Sequence, residues 1–235
     1  MDIRGFIPTS LVDWDGMVVS TIFTPKCNFD CGFCHNHELL YSPEKFAQIK
    51  EEDIIEHLKK NADFLDGVCI TGGEPTLQTD LSEFCAKVKA LGMKVKLDTN
   101  GTNPIVLKKL MQKNLVDFVA MDVKAPTSAK KYEAVSGTKS SYLLENVKES
   151  IQILLKSNLD YEFRTTLIPS IHSTDDVKEM ARSLGGCKKY VLQKFQPQNA
   201  RADELKKNRG QSDEEMDSLV KIIKKYVPNS KWRGK

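Results

Sequence analysis

The sequence has no run of 18 apolar residues and no apolar N-terminal segment of the signal-peptide kind. Neither membrane spanning nor secretion is therefore expected, and a cytoplasmic setting is. It also lacks a basic stripe: 35 Lys and Arg stand against 32 Asp and Glu, a formal net charge of +3 dispersed along the chain. Nucleic-acid binding is not expected on that balance, and Lys206-Lys207-Asn208-Arg209 reads as a solvated loop. Cysteines number six, three of them between positions 27 and 34, which is no disulfide framework and fits a reducing compartment. Repeats, low-complexity tracts and linkers are missing too. One domain is expected over residues 1–235, its core at about 17–200. A chain of 235 residues with 40% hydrophobic content can bury a sizeable core.

What is present is unusual at one point. Cys27, Cys31 and Cys34 form a C-x3-C-x2-C cluster inside Thr24-Pro25-Lys26-Cys27-Asn28-Phe29-Asp30-Cys31-Gly32-Phe33-Cys34-His35-Asn36. Three thiolates in one short loop can hold an iron–sulfur cube by three of its four irons, leaving one iron open for chemistry. A cube used only for electron transfer normally has four cysteines. The alternative is a zinc knuckle with His35 as the fourth ligand. Adjacent residues such as Cys34 and His35 rarely wrap one tetrahedral ion, because zinc ligands are usually separated by two residues or more.

Apolar, β-rich runs alternate with amphipathic helical patterns. The strand candidates are 17–24, 67–71, 93–99, 117–123, 160–167 and 188–195. One helical stripe is Leu81, Phe84, Cys85, Val88 and Leu91, with Thr79 as its N-cap and Gly92 as its stop. Asn103-Pro104 opens the next, and further stripes follow at Leu144–Leu155 and Val177–Leu184. Ser212 and Glu215 have capping-box spacing before a final helix near 213–226. Six such alternations predict an α/β fold with parallel strands and right-handed crossovers, most naturally a partial (β/α)6 barrel; periodicity alone also permits an open doubly wound sheet.

In such folds the site forms at the C-terminal ends of the strands. The unusual residues all fall there. The cysteine loop follows the first strand and Thr71-Gly72-Gly73-Glu74-Pro75 the second. Asp98-Thr99-Asn100-Gly101 ends the third, and Asp122-Val123-Lys124 the fourth. Arg164 lies on the fifth, and Gln196-Pro197-Gln198-Asn199 follows the sixth. Paired glycines let a ligand approach backbone, and Glu74 could partner an ammonium; alone, Gly72-Gly73 would read as an ordinary strand-to-helix turn.

The cysteine motif with Phe33 before its last member, followed by Gly-Gly-Glu-Pro, resembles the radical S-adenosylmethionine superfamily. Cys34-His35-Asn36, Leu97-Asp98-Thr99-Asn100-Gly101 and Met121-Asp122-Val123-Lys124 resemble the glycyl-radical-enzyme activases within it. Gly5 through Asp13 resembles the branch that activates anaerobic ribonucleoside-triphosphate reductase. The resemblance covers nearly the whole chain. It implies a radical SAM core with a short N-terminal arm and a C-terminal helix.

The resemblance also implies cofactors and roles. A [4Fe–4S] cluster would be held by Cys27, Cys31 and Cys34, with S-adenosylmethionine chelating the open iron. One-electron reduction would then yield methionine and a 5′-deoxyadenosyl radical that abstracts a hydrogen atom. Gly72, Gly73 and Glu74 would meet the methionyl ammonium, and Phe33 and His35 the adenosine. Asp122, Val123 and Lys124 would meet the ribose and carboxylate, with Arg164 pairing the carboxylate. A monovalent cation would be held by Asp98, Thr99 and Asp122. Activases of the pyruvate formate-lyase type carry a histidine where this chain has Asn199, which puts that cofactor contact in question. Many activases also insert extra cysteines between the cysteine loop and Gly-Gly-Glu. The short span from Cys34 to Gly72 leaves no room for them, so electrons would come from an external low-potential donor such as flavodoxin or ferredoxin. The implied partner is a glycyl radical enzyme, foremost anaerobic ribonucleotide reductase.

Two alternatives stand beside that reading: a radical S-adenosylmethionine enzyme acting on a small molecule, peptide or RNA, and a non-catalytic zinc or iron–sulfur module. Cys69, Cys85 and Cys187 read as packing residues, and His57 and His172 as structural or solvated. Trp14 and Trp232 read as anchors of the end segments.

Overall fold

The computed structural model describes residues 1–234. Its eight strands are β1 (Gly5–Ser10), β2 (Val19–Thr24), β3 (Gly67–Gly72), β4 (Lys94–Thr99), β5 (Phe118–Asp122), β6 (Asp160–Leu167), β7 (Tyr190–Lys194) and β8 (Ser230–Arg233). The helices are α1 (His37–Tyr41), α2 (Glu51–Lys60), α3 (Leu81–Ala90), α4 (Pro104–Gln112), α5 (Ala129–Ser136), α6 (Ser141–Leu155), α7 (Thr174–Ser183), α8 (Asp203–Lys206) and α9 (Asp213–Ile223). Strand order in the sheet follows chain order. Only the β1–β2 pair is antiparallel among the registers defined, and the sheet does not close. This is the α/β, partial-barrel class expected. All six strands read from the sequence are present, with ends shifted by up to two residues.

The chain falls into two compact units. The first comprises Met1–Asn28, Asn36–Thr99 and Ile105–Ala120. Its parallel strands are covered on both faces: Val68, Cys69 and Ile70 on β3 and Val95 and Leu97 on β4 are wholly buried, and β4 buries Lys96 as well. Helices α2 and α3 contribute Ile54, Leu58, Leu81, Phe84 and Val88 to this core. The N-terminal arm is not merely an arm. Gly5 to Ser10 pairs with β2 as an edge strand, and Trp14 packs against Val19 and Cys69. Asp80, rather than Thr79, stands at the N-cap of α3, and its side chain makes no capping bond.

The second unit comprises Phe29–His35, Asn100–Pro104 and the chain from Met121 onward. Here β6, β7 and β8 pair in parallel around Phe163, Tyr190 and Leu192, with Val147, Leu154, Met180 and Ile223 from the helices. The Ser212–Glu215 capping box forms as its spacing predicts, and α9 ends at Ile223 rather than 226. The additional strand β8 is tied by Arg233, whose guanidinium bonds both oxygens of buried Glu162 at 2.6 and 2.9 Å. Trp232 anchors its indole N–H on Asp217 at 2.7 Å.

Candidate active site

In the first unit, the end of β3 lies against the start of the cysteine loop. The Gly73 amide donates to the Thr24 carbonyl and the Glu74 amide to the Lys26 carbonyl, each at 2.8 Å. A Cβ on Gly73 would strike the Lys26 carbonyl oxygen, and one on Gly72, at φ +114°, would strike the Thr24 backbone. The glycines thus permit a close backbone crossing, whatever else approaches them. Asn36 donates its side-chain amide to the Gly72 carbonyl at 2.8 Å, a tie the sequence motif held without revealing. Glu74 is wholly buried. Its Oε1 accepts from the Thr76 amide at 3.1 Å, the Thr76 hydroxyl at 2.6 Å and the Thr99 hydroxyl at 2.7 Å. The carboxylate thereby joins the β3 and β4 ends. Asp98 accepts from the buried Lys96 ammonium at 2.5 Å, and the same ammonium lies 3.6 Å from the Cys69 sulfur. Cys27 is half-buried at the start of the loop.

In the second unit, the rest of the cysteine loop is braced from two sides. The Asp30 amide donates to the carbonyl of Ser136 on α5 at 2.8 Å, and the Cys31 thiol sits 3.6 Å from that same oxygen. Phe29 and Tyr132 meet edge to face at 6.0 Å. Gly137, at φ +70°, lets the chain turn where a Cβ would strike the Asp30 carbonyl. On the other side, the Ala202 amide donates to the Gly32 carbonyl at 2.8 Å, and Arg201 pairs with Asp30. Phe33 is buried, Cys34 half-buried and His35 exposed.

Asp122, at the end of β5, is the hub of this unit's charged residues. Its Oδ1 accepts from Arg164 Nε and its Oδ2 from Lys124 Nζ, each at 2.8 Å. Burial would raise the Asp122 pKa, but the Arg164 and Lys124 charges outweigh it and hold the carboxyl down at about 2. Burial would likewise lower that of Lys124, yet Asp122 and the Cys31 sulfur raise it. The Lys124 ammonium also stands 5.6 Å from the centre of the Phe33 ring, a cation–π distance. Val123 is a core residue, its amide bonded to the Arg164 carbonyl and its carbonyl to the Thr165 hydroxyl. His172 proves structural: Nδ1 accepts from the Ile168 amide at 3.0 Å, which leaves Nε2 to donate to the Lys124 carbonyl at 2.9 Å. Burial lowers its pKa, so the ring stays neutral. Asn199 is exposed, at the end of a single 3-10 turn, Pro197–Asn199.

A family model described as the radical SAM superfamily matches residues 21–184. The chain belongs to that superfamily. It is a radical SAM enzyme of oxidoreductase type, whose cofactors are a [4Fe–4S] cluster and S-adenosylmethionine. It is 32% identical over 230 residues to a proposed glycyl-radical enzyme activating enzyme of Methanocaldococcus jannaschii, covering 97% of this chain and 93% of that one. It is also 31% identical to a GTP 3′,8-cyclase of Helicobacter pylori, over 72% of this chain but only 53% of the cyclase. Among solved structures, SuiB of Streptococcus suis bound to its precursor peptide SuiA superposes with a TM-score of 0.68 at 15% identity. That match covers 91% of this chain and 48% of SuiB, and speaks to the fold alone.

The radical SAM donor set fits these residues. Three thiols in one loop supply soft ligands suited to iron, and none of the six cysteines is in a disulfide. Among the described residues no three His, Cys, Asp or Glu side chains are placed to share a single metal ion. Cys69, Cys85 and Cys187 are buried, as packing cysteines are, and burial pushes the Cys85 thiol up to about 12 and Cys187 to about 11. Among the described residues no helix is long and apolar enough to cross a membrane.

Proposed function

We propose that this enzyme is an activase that abstracts a hydrogen atom from a glycine of a partner enzyme, foremost an anaerobic ribonucleoside-triphosphate reductase. The observation that carries the reading is the archaeal relative, alike over nearly the full length of both chains. The family match runs through residues of both units, which supports treating 1–235 as one functional domain.

In this reading Cys27, Cys31 and Cys34 ligate the cluster. When reduced, the cluster and S-adenosylmethionine supply a 5′-deoxyadenosyl radical. The chain's own residues bind and orient. The backbone at Gly72 and Gly73, with Glu74, receives the methionyl ammonium; Glu74 Oε1 is already held by Thr76 and Thr99, so its share is fixed in direction. Lys124 and Arg164 receive the carboxylate from their positions on Asp122, and Asp122 and Val123 border the ribose. Phe33 and His35 would flank the adenosine, and Asn199, in the turn after β7, is the remaining candidate contact. Asp98, Thr99 and Asp122 remain the candidate cation ligands, although a cation at Asp98 must displace the Lys96 ammonium. Electrons come from an external flavodoxin or ferredoxin.

The test mixes the anaerobically reconstituted, reduced protein with the candidate reductase and S-adenosylmethionine. A glycyl radical doublet by electron paramagnetic resonance is the expected result. The small-molecule reading draws on the GTP 3′,8-cyclase relative, although this chain spans about half of that protein's length. It predicts no radical on any glycyl radical enzyme.

A further inference from the structure

Tyr132 and Ser136 stand four residues apart on α5 and so share one face of the helix. That face packs on the cysteine loop, through the Phe29 ring and through the Ser136 carbonyl that receives the Asp30 amide and the Cys31 thiol. Both residues are buried, with 2% and 0% exposure. Neither hydroxyl makes a hydrogen bond. The Tyr132 hydroxyl lies near the Lys124 backbone and the Cys31 side chain. A buried hydroxyl without a partner costs about 1–3 kcal/mol. Two of them on the helix face that packs on the cysteine loop call for an acceptor that the polypeptide does not supply.

The Cys31 sulfur becomes such an acceptor. As a thiol it points its S–H at the Ser136 carbonyl. When it ligates iron, the proton leaves and the thiolate can only accept. The carbonyl oxygen is then the wrong partner, and a hydroxyl is the right one.

We propose that Tyr132 and Ser136 are positioning residues for the iron–sulfur cluster, donating hydrogen bonds to its Cys31 side and so raising its reduction potential. Donors near the sulfurs favour the more negatively charged reduced state. The inference rests on Cys31 being a cluster ligand.

The experiment uses the full chain, anaerobically reconstituted, as wild type, Tyr132→Phe, Ser136→Ala and Ser136→Thr. Potentiometric titration and resonance Raman spectra in H2O and D2O are recorded at equal iron and sulfide content. Each hydroxyl removed should lower the ratio of reduced to oxidised cluster at fixed potential, on the order of threefold. It should also shrink the deuterium shift of the iron–sulfur stretches, and Ser136→Thr should restore both. Unmoved potentials and deuterium shifts in fully loaded Tyr132→Phe and Ser136→Ala would overturn the inference. So would a Ser136→Thr variant that behaves like Ser136→Ala. If Ser136→Ala does not load, Tyr132→Phe decides by the same readouts. Failure of the premise is separate: a Cys31→Ala variant that keeps its iron removes Cys31 as ligand, while unchanged potentials in loaded hydroxyl variants remove only this proposal.

Discussion

Arg164 and Lys124 divide one carboxylate between them: the guanidinium takes Oδ1 of Asp122 and the ammonium takes Oδ2, each at 2.8 Å. Arg164 reaches in from the strand next to that of Asp122, and Lys124 from two residues along the chain. Asp122 thereby fixes the direction of both cations. A carboxylate arriving beside the pair would meet two cations already oriented.

Replacing Lys124 or Arg164 by Ala should therefore weaken S-adenosylmethionine binding by about 1.5–3 kcal/mol while leaving the iron content intact. Equilibrium binding to the reconstituted protein checks this. Normal affinity in both variants would place the carboxylate contacts elsewhere.

Ala at Cys27, Cys31 or Cys34 should abolish the cluster, whereas Ala at Cys69 or Cys187 should spare it. Wild type should hold about four irons by metal analysis. In the iron-free protein, Cys85 and Cys187, whose thiols lie at about 12 and 11, should resist alkylation at pH 8. Peptide mass spectrometry reads that pattern directly.

His172 has a lowered pKa in the fold, its neutral ring bridging the Ile168 amide and the Lys124 carbonyl. Its contribution is full above its ordinary value of 6.5. As pH falls, the unfolded chain takes the proton first, and stability is lost until the lower folded value is passed. The stability gap between wild type and His172→Asn, from denaturant midpoints, should narrow from pH 8 to pH 5. A gap independent of pH would contradict the neutral assignment.

Thr99→Val removes a hydroxyl donor to a wholly buried carboxylate and should cost about 1–3 kcal/mol. Thr99→Ser, which retains the hydroxyl, should recover most of it. Thermal and denaturant unfolding measure both.

The six interior strands were legible because each sets apolar, β-rich residues between helical patterns, although β4 and β6 also bury the charged residues Lys96, Glu162 and Arg164. The two outer strands were not: β1 carries Pro8 and exposed residues, and β8 is four residues long with a Lys and an Arg. The chemistry-bearing loops were legible from their residue types at strand ends. What joins them was not. That Thr99 reaches Glu74 depends on register between strands, and that Lys96 answers Asp98 two residues along its own strand depends on how the two side chains turn. The packing of Tyr132 and Ser136 on the cysteine loop joins positions about a hundred residues apart. No spacing rule reaches that far. His172 had no partnered spacing because both its partners are backbone groups.

The central claim, hydrogen abstraction from a glycine of a protein partner, is tested most directly by isotope transfer. The partner reductase is prepared with deuterated glycine, mixed anaerobically with this enzyme, reductant and S-adenosylmethionine, and the 5′-deoxyadenosine is analysed by mass spectrometry. One deuterium should appear in 5′-deoxyadenosine as the glycyl radical forms. Unlabelled 5′-deoxyadenosine, with deuterium arriving instead only from a labelled small metabolite, would contradict the account.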